Sequence, residues 1–238
     1  MANYVAGGRG VDAGRGWDWI SAGWELFKKQ AGMWIAVVLV AFVIFFVLAL
    51  IPIVGSLATF VLSPVFAAGV LVCAREVDEG RSMEVGHLFA GFRGKLAPLA
   101  TVGAIYLAAA VVIALVVGLA TGASVFTMMS GSGAEATPAA AMTVILAMLI
   151  MLALLLPVIM AVWFAPALVM FHDKNAVDSM KESFAGCLRN VVPFLVYGIV
   201  MLVFSVIASI PLMLGWLVLG PVLCTSYYTS YKDIYLAA

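Results

Sequence analysis

Residues 31–74 read AGMWIAVVLVAFVIFFVLALIPIVGSLATFVLSPVFAAGVLVCA, without a charged side chain from end to end. A bilayer core is crossed by roughly 20 apolar helical residues, so this stretch holds two crossings. Pro52 and Gly55 interrupt it near the middle, where a short turn folds the pair into an antiparallel hairpin. Two more stretches, 96–171 and 190–231, carry one charged residue between them, Glu135. Each holds another pair of crossings. The expected fold is all-α, a polytopic membrane protein of six transmembrane helices in a single integral domain, 1–238.

The twelve Lys and Arg residues lie outside the apolar stretches. Arg9, Arg15, Lys28 and Lys29 precede the first; Arg75, Arg81, Arg93 and Lys95 separate the first from the second; Lys174, Lys181 and Arg189 precede the third; Lys232 follows it. If every stretch goes out and back, all twelve lie on one face, which the positive-inside rule assigns to the cytoplasm together with both termini. The outer loop expected over about 121–138 has Glu135 and no Lys or Arg, as an extracytoplasmic segment should.

Composition points to the same class. Residues are 66% hydrophobic and 10% charged, with a mean hydropathy of +1.19, whereas soluble domains are roughly a quarter charged. A net charge of zero leaves no basic excess for nucleic acid. The N-terminal residues show no small-residue cleavage site after a short apolar core, so no removable signal peptide is expected. Cys73, Cys187 and Cys224 are too few and too scattered for a disulfide framework and read as small apolar residues. His87 and His172 lack a Cys, His or carboxylate partner at metal-ligand spacing, so neither a metal nor a cofactor is expected.

The crossings are expected at 31–51, 53–74, 96–119, 139–164, 191–210 and 214–228, with Pro157 a kink inside the fourth. Each pair is preceded by a segment with helical apolar spacing. In 17–29, Trp17, Ile20, Trp24 and Phe27 form an apolar face beside Asp18, Ser21, Glu25 and Lys28. Before the third crossing, Val85, Leu88, Phe89, Phe92 and Leu96 oppose Glu84, His87, Arg93 and Lys95. Before the fifth, Val177, Met180, Phe184, Leu188 and Val191 oppose Asp178, Lys181, Glu182 and Arg189. Helices of this kind lie flat in the membrane interface. The expected organisation is three parallel two-helix repeats, each preceded by a cytoplasmic interfacial amphipathic helix, over units of about 15–76, 84–173 and 175–235.

Residue matches between the outer units support a repeat. Lys29, Gln30 and Trp34 correspond to Arg189, Asn190 and Phe194; Pro52 and Gly55 to Pro211 and Gly215; Ser63 and Pro64 to Gly220 and Pro221. The middle unit keeps Ala165 and Pro166 at the Ser63 and Pro64 position. Pro52, Pro64, Pro166, Pro211 and Pro221 are the expected helix breaks of the repeat. Trp17, Trp19, Trp24, Phe27, Phe89, Phe92, Phe184, Tyr228 and Tyr231 are the expected membrane-interface anchors.

The stretch GRGWDWI at 14–20, with Gly23, Trp24, Leu26 and Phe27, and GHLFAGF at 86–92 resemble a group of uncharacterised proteobacterial inner-membrane proteins. The second half, Ala165, Pro166 and Ala167 followed by Asp178, Ser179, Met180, Lys181, Glu182 and Ser183, is similar to six-helix bacterial membrane domains of unknown function. One branch of these is fused to glycerophosphodiester phosphodiesterases. The resemblance implies an inner-membrane location and the repeat architecture, and assigns no catalytic residue.

Intramembrane enzymes and ion-coupled carriers keep ionisable residues within their spans, where such groups cost several kcal/mol. The six expected crossings contain no Asp, Glu, Lys, Arg or His, and no His-Glu-x-x-His, phosphate-loop or Gly-x-Ser-x-Gly pattern occurs. The expected function is therefore non-catalytic: a structural or accessory membrane component whose cytoplasmic platform binds membrane lipids, further copies in a homo-oligomer, or a larger membrane complex. The alternative is a transporter or channel for a small apolar or zwitterionic compound, with a site built from backbone dipoles at the Pro breaks.

Overall fold

A computed structural model describes residues 3–129 and 138–237, with side chains undescribed over 123–129, 138–141 and at Ala237. Glu135 lies outside the described residues, as does the 130–137 part of the expected outer loop. The elements run β1 (Asn3–Tyr4), α1 (Arg15–Lys29), α2 (Ala31–Ala49), α3 (Val54–Asp78), a 3-10 helix (Val85–Phe92), α4 (Leu96–Met129), α5 (Pro138–Trp163), α6 (Ala165–His172), α7 (Ala176–Arg189), α8 (Val191–Ser209), α9 (Trp216–Tyr235) and β2 (Leu236–Ala237). The protein is helical apart from β1 and β2, which pair antiparallel.

Among the described residues, five segments are long and apolar enough to cross a membrane: Ala31–Ala49, Val54–Asp78, Leu96–Gly122, Met142–His172 and Val191–Ser209. The expected sixth crossing does not join them. Only the first nine residues of α9, Trp216 to Cys224, are apolar, a rise of ~13 Å against a ~30 Å core. After them come Thr225, Ser226, Tyr228, Ser230, Tyr231 and Asp233, which α9 carries into the protein interior, while Lys232 stays exposed.

Three further expectations change. Residues 121–129 continue α4 as helix rather than opening the outer loop. The segment before α4 is a 3-10 helix of eight residues, not an α-helix. It starts at a reciprocal cap between Glu84 and His87 and lies so close to α3 that a Cβ on Gly69 would collide with the Leu88 carbonyl. The fourth span extends past its expected end at 164 to His172: α5 runs on through Pro157, and the chain bends at Phe164, where Pro166 enters the first turn of α6.

The turns joining α2 to α3 and α8 to α9 are tight. Val54 donates to the Pro52 carbonyl across Ile53, which sits at φ 63°, a strained three-residue turn. Leu212 and Met213 take positive φ in the second turn. In both, a glycine lets the helices meet: a Cβ at Gly55 would strike the Leu48 carbonyl, and one at Gly215 would lie 2.7 Å from the Ala208 carbonyl.

Each short segment packs on a long helix from elsewhere in the chain: α1 on α9, the 3-10 helix on α3, and α7 on α5. Burial follows that arrangement. In α2 only Trp34 and Val37 are buried, and in α4 Leu99, Val102 and Gly103 near the start with Val117 further on. In α3 the buried residues run from Pro64 to Val77 apart from Gly55, and in α9 from Leu219 onward. The packed core therefore sits at the end of the bundle where α1, the 3-10 helix and α7 lie. At the opposite end Phe42, Phe46, Leu115, Leu119, Leu149 and Leu152 are all exposed.

Candidate functional site

The packed end is built on α1. Its buried side carries Gly16, Trp19, Ile20, Gly23, Leu26 and Phe27. Two glycines set the approach: a Cβ on Gly16 would collide with the Pro193 carbonyl of α8, and one on Gly23 would come within 2.7 Å of the Ser226 amide of α9. Trp19 is thereby driven inward, 1% exposed, between Phe194 and Tyr197. Its indole N–H donates to Asp233 Oδ2 at 2.8 Å.

Asp233 is the hub of this end. Arg15 Nε donates to Oδ2 at 2.8 Å and Arg9 Nη2 to Oδ1 at 3.0 Å. Burial pushes the Asp233 carboxyl up, but the donors Arg15, Trp19 and Arg9 outweigh it and hold the group below the usual carboxylate range. Charges buried without such partners are expensive. A half-buried carboxylate, Glu182, accepts from Lys174 Nζ at 2.5 Å and from the Tyr4 hydroxyl. Burial again raises the carboxyl, and Lys174 and Tyr4 bring it below its ordinary value. Lys95 pairs with Asp173, Arg81 with Glu76 and Glu79, and Lys232 with Asp78. The charged residues of separate segments thus meet in one region.

Two amides clamp the chain leading into a neighbouring segment. Gln30, between α1 and α2, donates to the Arg81 carbonyl and accepts from the Met83 amide. Asn190, between α7 and α8, donates to the Arg9 carbonyl and accepts from the Val11 amide, each at 2.8 Å.

Several concavities border this end, three of which bear on function. A polar one of about 530 Å³ is edged by Arg9, Arg15, Lys29, Lys232, Asp78 and Asp233. An apolar groove of about 480 Å³ runs beneath Trp17 and Trp24 between α8 and α9. A smaller hollow of about 240 Å³ lies among Ser63, Pro64 and Ala67 of α3, Trp163 and Pro166, and Tyr227 of α9. Cys187 is buried, and burial pushes its thiol up to about 12, which leaves almost no thiolate at neutral pH.

The expected anchors divide. Trp17 and Trp24 are exposed at 50% and 42%, and Phe89, Phe92 and Phe184 are half-buried. Trp19, Phe27, Tyr228 and Tyr231 are inside the protein, with no ring surface turned outward. The prolines divide too. Pro52 and Pro211 lie in turns and Pro166 at the start of α6. Pro64 and Pro221 lie within continuous helices, so neither breaks its helix. Neither the expected anchors nor the expected breaks include Asp233, Arg9, Arg15 or Glu182; the signals in the sequence are the matches of Gln30 with Asn190 and of Arg75 and Glu76 with Lys232 and Asp233.

The chain is similar to an inner-membrane protein. A probable inner membrane protein of Burkholderia thailandensis is 26% identical over 200 residues, covering 79% of this chain and 73% of that one. No family model matches the chain, and no solved structure matches it. With its five candidate spans, the chain is a multi-pass inner-membrane protein, in agreement with the resemblance to an uncharacterised membrane group.

Proposed function

We propose that this protein is a non-catalytic component of the inner membrane whose α1, 3-10 helix and α7 form a cytoplasmic platform for membrane lipid or a protein partner. The observation that carries the reading is the gathering of charged segments at one end, with Trp17 and Trp24 exposed beside them. Positive charge is retained on the cytoplasmic side, so both termini lie there. Counted as a sixth crossing, α9 continues its nine apolar residues with Thr225, Ser226 and Tyr228, which are buried against protein rather than turned to lipid, and the helices form three out-and-back pairs.

A cyclic three-unit repeat is supported by the packing. Each short segment rests on the second helix of the unit before it, and α1 closes the cycle on α9. Gln30 holds the lead into the second unit, Lys95 pairs with Asp173 in the lead into the third, and Asn190 holds the lead into the first. Reporter fusions test the topology: one after Glu79 reads as cytoplasmic and one after Ser132 as extracytoplasmic, and the reverse result sinks the assignment. Purification tests the platform. Retention of lipid or a partner is expected, and a lone monomer indifferent to lipid counts against it.

A transport role is favoured by one observation, the hollow beside Pro64 and Pro166, with the Trp163 indole N–H buried and unpartnered. Ala67→Cys tests it. Modification by a membrane-impermeant thiol reagent from both faces supports a carrier, and protection from both removes that reading.

A further inference from the structure

The groove under α1 has a composition that specifies what fits it. Its walls are Phe204, Ile207 and Pro211 on one side and Val218, Leu219 and Val222 on the other, with Trp17, Ile20 and Trp24 as the roof. Since α8 is long and apolar enough to span a bilayer, the mouth of the groove opens onto hydrocarbon. Beneath Ser21 every lining side chain is apolar, so the buried portion of any occupant is alkyl. A volume of about 480 Å³ falls in the ~300–1,000 Å³ range of ligand pockets.

The roof supplies the other half of the ligand. Trp17, Ser21, Trp24 and Lys28 follow one another at spacings of four, three and four, which puts them on one stripe of α1. The two indoles are exposed, as rings at the headgroup level are. Lys28 is also exposed, and its partner is Glu25 one turn back, at 2.7 Å. Exposed pairs of this kind are worth ~0–1 kcal/mol, so Lys28 is free to exchange Glu25 for a phosphate.

We propose that the groove seats one acyl chain of a glycerophospholipid whose phosphate is held on the α1 stripe by Lys28 and the Ser21 hydroxyl. The proposal rests on the lipid-binding form of the platform. It goes further by fixing the ligand class, its orientation and the residues at each end. Trp17 and Trp24 cover the chain at the level where glycerol meets phosphate.

The test uses the full chain reconstituted with phosphatidylglycerol, transferred to detergent and weighed intact by native mass spectrometry. Wild type should keep one phospholipid. Ile207→Trp and Val218→Trp, each filling the groove from one wall, should lower the bound fraction about tenfold, or ~1.4 kcal/mol. Lys28→Glu should lower it comparably, while Leu115→Trp, on the exposed face of α4, should change nothing. If both groove-filling variants keep the lipid and Lys28→Glu loses it, the platform stands and the groove assignment is overturned. If wild type keeps none, the lipid form of the platform falls with it.

Discussion

The two ends of this bundle solve the same packing problem with opposite means. At the far end the helices carry Phe42, Phe46, Leu115, Leu149 and Leu152, and all five are exposed. At the α1 end the interior holds Ser179, Ser183, Asn190, Thr225, Ser226, Ser230 and Asp233, and all seven are buried. In water the order would be reversed. Lipid tails are as apolar as leucine, so a leucine gains little by leaving them, and close packing of small residues and hydrogen bonds must hold helices together. The α1 end supplies both, through Gly16 and Gly23 and through the Asp233 hub. Apolarity therefore marks where this chain meets lipid, and polarity marks where it meets itself.

Substitutions at the two ends should separate by size. The largest effect is expected for Trp19→Ala, which empties a fully buried site and orphans one side of Asp233. A loss of about 3–5 kcal/mol should appear as a large drop in the thermal unfolding midpoint in detergent. An unchanged midpoint would mean the hub does not hold α1 to α9.

Asp233→Asn should cost less, about 2–3 kcal/mol, because Arg9 and Arg15 are partly exposed and regain water when released. The same carboxylate gives the comparison a pH signature. Its folded pKa is depressed, so its contribution is fully present above the unfolded value near ~3.9 and fades as pH falls through the folded value. Wild type should thus lose stability below about pH 4 more steeply than Asp233→Asn, which has no such proton to bind. Parallel curves would overturn the hub. The smallest effect belongs to the far end: Leu115→Ala should shift stability by no more than about 0.5 kcal/mol, and a larger shift would show that a protein surface covers that face.

Five crossings were legible because hydropathy over twenty residues is a strong signal and nothing in those stretches opposes it. The sixth is less legible: Leu214 to Cys224 is apolar, but the Tyr, Ser and Thr that follow carry intermediate hydropathy, and it takes the packing against α1 to make several of them interior. The 3-10 helix escaped notice since apolar spacing over eight residues does not distinguish a period of 3.0 from 3.6. On α1 the apolar spacing puts Trp17, Ile20, Trp24 and Phe27 on one interfacial face; the buried face is turned toward Gly16, Trp19 and Gly23. Hydropathy gives glycine no weight, yet the glycines decide where two backbones can meet. Asp233 was invisible as a hub because its partners Arg9, Arg15 and Trp19 stand more than two hundred residues away.

That separation has a consequence for how the protein is made. Trp19 and Asp233 are 214 positions apart, and ribosomes add ~5–20 residues per second, so α1 waits roughly 10–40 s for its partner helix to be synthesised. Throughout that interval the indole of Trp19 and the guanidinium of Arg15 have no Asp233 to bind. A holding surface must receive them meanwhile, and the bilayer interface next to the first inserted hairpin is the one at hand.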